Sequence, residues 1–90
     1  MEEQNLQVEV AELKKLNGDT KTKAFVDISV NNAILIKGLR VVSGSKGLFV
    51  GLPGRQAGDG KWYNSVMFLD EEVKNQVTSV VLNAYENDQP

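Results

Sequence analysis

Turn signals divide the first 70 positions of this chain into stretches that read as short strands. They are Asn17-Gly18-Asp19-Thr20, Asn31-Asn32 and Ser43-Gly44-Ser45-Lys46-Gly47. Asparagine and glycine tolerate the left-handed backbone that tight hairpin turns require. Between the signals, apolar and polar residues alternate with the period of a half-buried strand. Leu6, Val8 and Val10 alternate with Gln7 and Glu9, and the strand continues through Leu13 to Leu16 after a phase slip near Ala11 that marks a bulge. The return strand sets Ala24, Val26, Ile28 and Val30 on one face, with Lys21, Lys23, Phe25, Asp27 and Ser29 on the other.

Ala33 to Val42 forms a third strand, whose continuous Ile34-Leu35-Ile36 run fits a strand covered on both faces or covered by a helix. Leu48 to Leu52 forms a fourth, ended by Pro53. Gly54 to Gly60 holds three glycines and no large apolar residue, and reads as the longest irregular and most mobile segment. Trp62 to Leu69 alternates as a fifth strand, with Trp62 and Phe49 expected in the core. The period then changes. Asp70 is placed to cap a helix, Glu71 and Glu72 occupy its first turn, where the dipole favours anions, and Val73, Val77, Val80, Val81 and Ala84 share one stripe. Valine is a mediocre helix former, so packing must hold this helix. Leu82 points away from the stripe, to cover a sheet edge or meet a partner. The expected fold class is α+β: a small antiparallel β-sheet of about five strands, a meander of hairpins, followed by one C-terminal α-helix packed on it. Ninety residues fit a single domain, 1–90, because a division would leave two marginal cores.

The chain has no cysteine and no histidine. This removes thiolate catalysis, cysteine-held zinc or iron–sulfur sites, and the commonest general base and metal ligand. A non-enzymatic protein without metal, cofactor or small-molecule substrate is expected. Asp70, Glu71 and Glu72 form the tightest acidic group, but they sit where a helix start favours negative charge. Gly58-Asp59-Gly60 lacks the further ligands or lysine of a calcium or phosphate loop. Ser43 to Gly47 is rich in backbone amides yet leads into a strand, so no helix dipole supports an anion there. No apolar run approaches the roughly 20 residues of a membrane span, and Glu2 and Glu3 stand where a signal peptide would be basic. A cytoplasmic protein without membrane contact is the expectation.

The net charge of −2 conceals a pattern. Residues 1–12 carry Glu2, Glu3, Glu9 and Glu12 and no base; residues 13–61 carry nine bases against three acids; residues 62–90 carry five acids against Lys74. A cationic middle lies between acidic ends, and it makes a local positive field or simply solvates the outer strand faces. Basic residues are interleaved with aromatics: Lys21 and Lys23 near Phe25, Lys37 and Arg40 on the third strand, Arg55 and Lys61 near Trp62 and Tyr63. Cations neutralise phosphates and aromatic faces stack bases, the combination that grips nucleic acid. Lys37 and Arg40 have an odd spacing, so in a regular strand they face opposite ways and share a patch only if a bulge intervenes. One helix covers one sheet face and leaves two edges open, which gives the chain a motive to form a homodimer.

The run Ile36-Lys37-Gly38-Leu39-Arg40-Val41-Val42, then Gly44, then Gly47-Leu48-Phe49-Val50-Gly51-Leu52-Pro53 resembles the signature of the SpoVG (stage V sporulation protein G) family. Asp59-Gly60, the aromatic pair that follows Lys61, and Val81-Leu82-Asn83 with Tyr85 resemble its later landmarks, so the likeness covers roughly residues 8–86. The resemblance implies a small antiparallel sheet with a C-terminal helix, a dimer, and a bacterial cytoplasmic regulator linked to septation and sporulation that binds DNA or RNA. Arg40, Arg55 and Lys74 match basic positions of the family, and with Lys21, Lys23, Lys37 and Lys61 they are the expected nucleic-acid contacts. The alternative expectation is a protein–protein interaction module of the division or regulatory machinery.

Overall fold

A computed structural model describes residues 6–18 and 20–87. Glu2, Glu3, Asp19 and Asp88, which contribute to the charge pattern and the first turn signal, lie outside the described residues. The elements are β1 (Val8–Lys15), β2 (Thr22–Val30), β3 (Ile34–Gly44), β4 (Gly47–Gly51), β5 (Gly54–Gln56), β6 (Trp62–Asn64) and α1 (Glu71–Asn87). The first four form an antiparallel meander in the order β1-β2-β3-β4, and β5 and β6 pair as a separate two-stranded ribbon. The class is the expected α+β. The fifth strand belongs to a ribbon of its own.

The turns follow their residues. Asn31 and Asn32 adopt φ of 55° and 52°, and the Ala33 N–H donates to the Val30 carbonyl at 2.9 Å, closing the β2–β3 hairpin. The β1–β2 loop is wider than a two-residue turn, since the bond flanking it runs from the Leu16 N–H to the Lys23 carbonyl. The phase slip near Ala11 is a bulge: the register jumps between Val10 and Glu12, and Val10 and Leu13 thereby face the same way.

A second bulge matters more. Val26 pairs with Leu39 and Ile28 with Ile36, so Asp27 faces both Lys37 and Gly38. Gly38 takes φ +92°, and its N–H donates to Asp27 Oδ1 at 3.2 Å. The extra residue keeps both Ile36 and Leu39 on the core side across a spacing of three. Leu39 and Val41 are fully buried, while Ile34 and Leu35 are exposed. The apolar run of β3 is therefore not covered on both faces; of the two expected arrangements, a strand covered by the helix on one side is the one observed.

Helix α1 lies across β1, β3 and β4. Val77 and Val81 meet Ala24, Val26, Ile28, Leu39 and Val41 in the core. Asp70 caps the helix through an Oδ1 that accepts the Glu72 N–H at 2.8 Å. Gln76 Nε2 donates to the Leu6 carbonyl at 2.6 Å and ties the helix to the start of β1. Leu82 is half-buried against the same core, so it serves the chain's own packing.

Two further expectations are corrected. Gly54–Gly60 is irregular only from Ala57 onward, because its first three residues pair with Trp62–Asn64. The fifth strand ends at Asn64 rather than Leu69; residues 65–70 lead irregularly to the helix. Trp62 and Phe49 are each 49% exposed and lie outside the core.

Candidate functional site

The sheet has one face under the helix and one face open. Side chains that alternate with the buried residues of β2 and β3 point to the open face. Phe25 pairs opposite Lys14 on one side and Arg40 on the other, and Arg40 pairs opposite Gly51. The Gly38 bulge restores the phase between Lys37 and Arg40, so both join this face despite their odd spacing. The β5–β6 ribbon brings Trp62 to the same place: the Arg40 guanidinium lies 5.2 Å from the centroid of the Trp62 ring. Phe25, Lys37, Arg40, Pro53 and Trp62 line a cavity of about 400 Å³ floored by Gly38 and Gly54.

Two glycines make room for this assembly. A Cβ at Gly51 would come 3.0 Å from an Arg40 guanidinium nitrogen, and one at Gly54 would come 2.8 Å from Trp62 Nε1 and 2.5 Å from the Tyr63 carbonyl oxygen. Trp62 Nε1 donates to Asn64 Oδ1 at 2.7 Å, which fixes the indole on its ribbon. Gly51, Pro53 and Gly54, absent from the expected contacts, also belong to the site. Their signal was the clustering of small, turn-prone residues between two aromatic-bearing strands.

A second cavity, about 490 Å³, opens beside the ends of β2 and β3 and is lined by Thr20, Lys21, Lys23, Ser43, Gly44 and Ser45. Lys23 lies two residues before Phe25, and Ser43 three after Arg40, so the second cavity opens further along the same pair of strands. The remaining expected contacts lie elsewhere. Arg55 pairs with Tyr63 and by alternation faces away from Trp62. Lys61 is exposed beside the ribbon loop, and Lys74 is exposed on α1, the element covering the opposite face of the sheet.

Asp59 organises the ribbon loop. Its Oδ1 accepts the Lys61 N–H at 3.0 Å, and its Oδ2 accepts the Tyr63 hydroxyl at 2.9 Å. The backbone bond from Lys61, then the bond from Tyr63, hold the Asp59 carboxyl below its ordinary 3.8. The same contact raises the Tyr63 phenol above 10.0. A carboxyl depressed by folding contributes stability above its unfolded pKa and loses it as pH falls through the lower folded value. A phenol raised by folding contributes below its unfolded pKa and loses it as pH rises through the higher folded one. The loop is therefore expected to keep its contacts across the range between, and an NMR titration of the Lys61 amide should follow Asp59 with a midpoint below 3.8. A midpoint at or above the ordinary value would show that the contacts do not form.

The SpoVG family model matches residues 4–87. The chain belongs to the SpoVG family. A protein of Archaeoglobus fulgidus bearing the name "Putative septation protein SpoVG" is 34% identical over 80 residues, covering 87% of this chain and 94% of that protein. A protein of the same name from Heliobacterium modesticaldum is 34% identical over 74 residues, covering 82% of this chain and 83% of its own. One from Lachnoclostridium phytofermentans is 28% identical over 81 residues, covering 90% and 87%. The chain is thus similar to these SpoVG proteins across nearly their whole length. The bulged β3 and the turn into β4 occupy the run that carries the SpoVG resemblance, so the family signature coincides with the strand that phases Lys37 and Arg40. Among the described residues, no helix of this SpoVG chain is long and apolar enough to cross a membrane.

Proposed function

We propose that the protein is a non-enzymatic, nucleic-acid-binding regulator that works as a homodimer in the cytoplasm, in the septation-related role that its relatives' name carries. One observation carries the reading: the Gly38 bulge sets Lys37 and Arg40 together on an open sheet face beside two half-exposed aromatics. Lys21 and Lys23 extend the cationic surface at the end of the same strands. Lys74 supports it less, because Glu71 and Glu72 precede it in the helix and repel phosphate. The exposed Met67 and Leu69, the latter 99% accessible, offer apolar surface between the ribbon and the helix for a second copy of the chain.

If Lys21, Lys23, Lys37 and Arg40 neutralise about four phosphates, log affinity should fall with log salt at a slope of about −3.6 on duplex and about −2.8 on single strands. Electrophoretic titration of random DNA and RNA at several salt concentrations measures this. Sedimentation velocity on the same sample checks the dimer. An affinity indifferent to salt counts against the reading, and it would favour a module that recognises other proteins through Met67 and Leu69.

A further inference from the structure

We propose that the cavity between β2, β3 and the ribbon is a stacking site for an unpaired nucleotide: a base lies against Phe25 and Trp62 while Lys37 and Arg40 hold the flanking phosphates. The inference rests on the nucleic-acid reading above and narrows it to one site and one strand form. Phe25 is 44% and Trp62 49% exposed, and both line the same cavity of about 400 Å³, within the range of small-ligand pockets. Neither ring belongs to the buried core, and although Arg40 lies over the indole, about half of each ring's surface stays open.

The arrangement is held in place before any ligand arrives. The indole is tied to Asn64, the guanidinium stacks on it, and Gly51 and Gly54 supply the space that a Cβ would fill. The charge is complementary to a polyanion. Among the described residues, no carboxylate pairs with Lys37 or Arg40. Asp27, the acid facing the bulge, has one oxygen engaged by the Gly38 N–H. A duplex keeps its bases stacked and paired, so only an unpaired nucleotide presents a free π-face to such a platform. Every base has that face, so affinity for strand form rather than for sequence follows.

Trp62 is the only tryptophan and reports on its own site. The full chain is titrated at low salt with an oligothymidylate and with a duplex of equal length, following Trp62 emission and the anisotropy of the labelled nucleic acid. Trp62 emission should be quenched by the single strand, which should bind about tenfold or more tighter than the duplex. Phe25→Leu should weaken single-strand binding about tenfold or more and leave duplex binding unchanged, whereas Lys37→Gln should weaken both. Because Phe25 lies on the open face, a melting curve close to the parent's is expected for that variant. If it fails to fold, the quenching in the unaltered chain still decides. Equal binding of both forms with unchanged Trp62 emission overturns the stacking site and leaves the nucleic-acid reading standing. Absence of binding to either form at low salt overturns both.

Discussion

Replacing Leu39 with alanine is expected to cost about 2–5 kcal/mol, while the same change at Leu35 on the same strand should cost no more than about 0.5 kcal/mol. Leu39 is fully buried, pairs with Val26 and sits in the cluster completed by Val77 and Val81 of the helix. Truncation there loses the transfer energy of the side chain and leaves a cavity beneath a helix built on valines that cannot extend to fill it. Leu35 is 54% exposed and pairs with Ser29, away from that cluster. In an unbulged strand, residues four apart face the same way, so a buried Leu39 would bring Leu35 to the core side as well. The contrast therefore reports on the Gly38 bulge together with the exposure of the strand end. Against a domain stability of about 5–15 kcal/mol, the loss at Leu39 should move the urea midpoint far or abolish the cooperative transition altogether. Comparable midpoints for the two variants would mean that β3 runs without the bulge and that Lys37 and Arg40 do not share a face.

The sequence made some of this legible, and the physical reason differs from strand to strand. In β1 and β2 one face is polar, so the alternation shows which residues go inward, and even the Ala11 bulge appears as a slip of phase. In β3 the Ile34-Leu35-Ile36 run carries no phase of its own. The clue lay downstream, where Ile36, Leu39 and Val41 can all face inward only if one residue is extra and Gly38 supplies it. The helix was readable throughout, from the Asp70 cap to the valine stripe, because cap chemistry and a 3.6-residue period are both local. The ribbon was not. Gly54-Arg55-Gln56 has no apolar residue to mark it as a strand, and the alternation from Trp62 to Leu69 imitates a core strand although of its aromatics only Phe68 packs against the core. Trp62 stays outside because Arg40, distant in sequence, and Gly54, on the paired strand, give its ring a surface to lie on. For the same reason the expected contacts separate. Lys21, Lys23, Lys37 and Arg40 gather along one pair of strands, while Lys74 travels with the helix to the other face.

Gly54→Ala is expected to detach the β5–β6 ribbon while leaving the core intact, and Gly51→Ala is expected to do neither. A Cβ at position 54 would stand 2.5 Å from the Tyr63 carbonyl oxygen, a backbone atom of the paired strand, and 2.8 Å from the indole nitrogen. Neither can yield cheaply. The carbonyl is held in the ladder, and the indole is bound to Asn64 and pressed on Arg40. Overpacking of this kind costs about 1–3 kcal/mol. The ribbon has only three residues in each strand, and two-stranded hairpins are marginal in water, so this cost exceeds what the pairing supplies. At Gly51 the added methyl meets the end of the Arg40 side chain at 3.0 Å, which can swing aside without disturbing the β3–β4 pairing. The expected result for Gly54→Ala is a red-shifted Trp62 emission and faster exchange of the Ala57 and Ser65 amides, whose bonds to the Lys61 and Pro53 carbonyls flank the ribbon. The far-UV melting temperature, set by the β1–β4 sheet and α1, should change by only a few degrees. A native emission spectrum from Gly54→Ala would show that the ribbon lies elsewhere, and with it would go the aromatic wall of the cavity that Arg40 and Lys37 were brought together to complete.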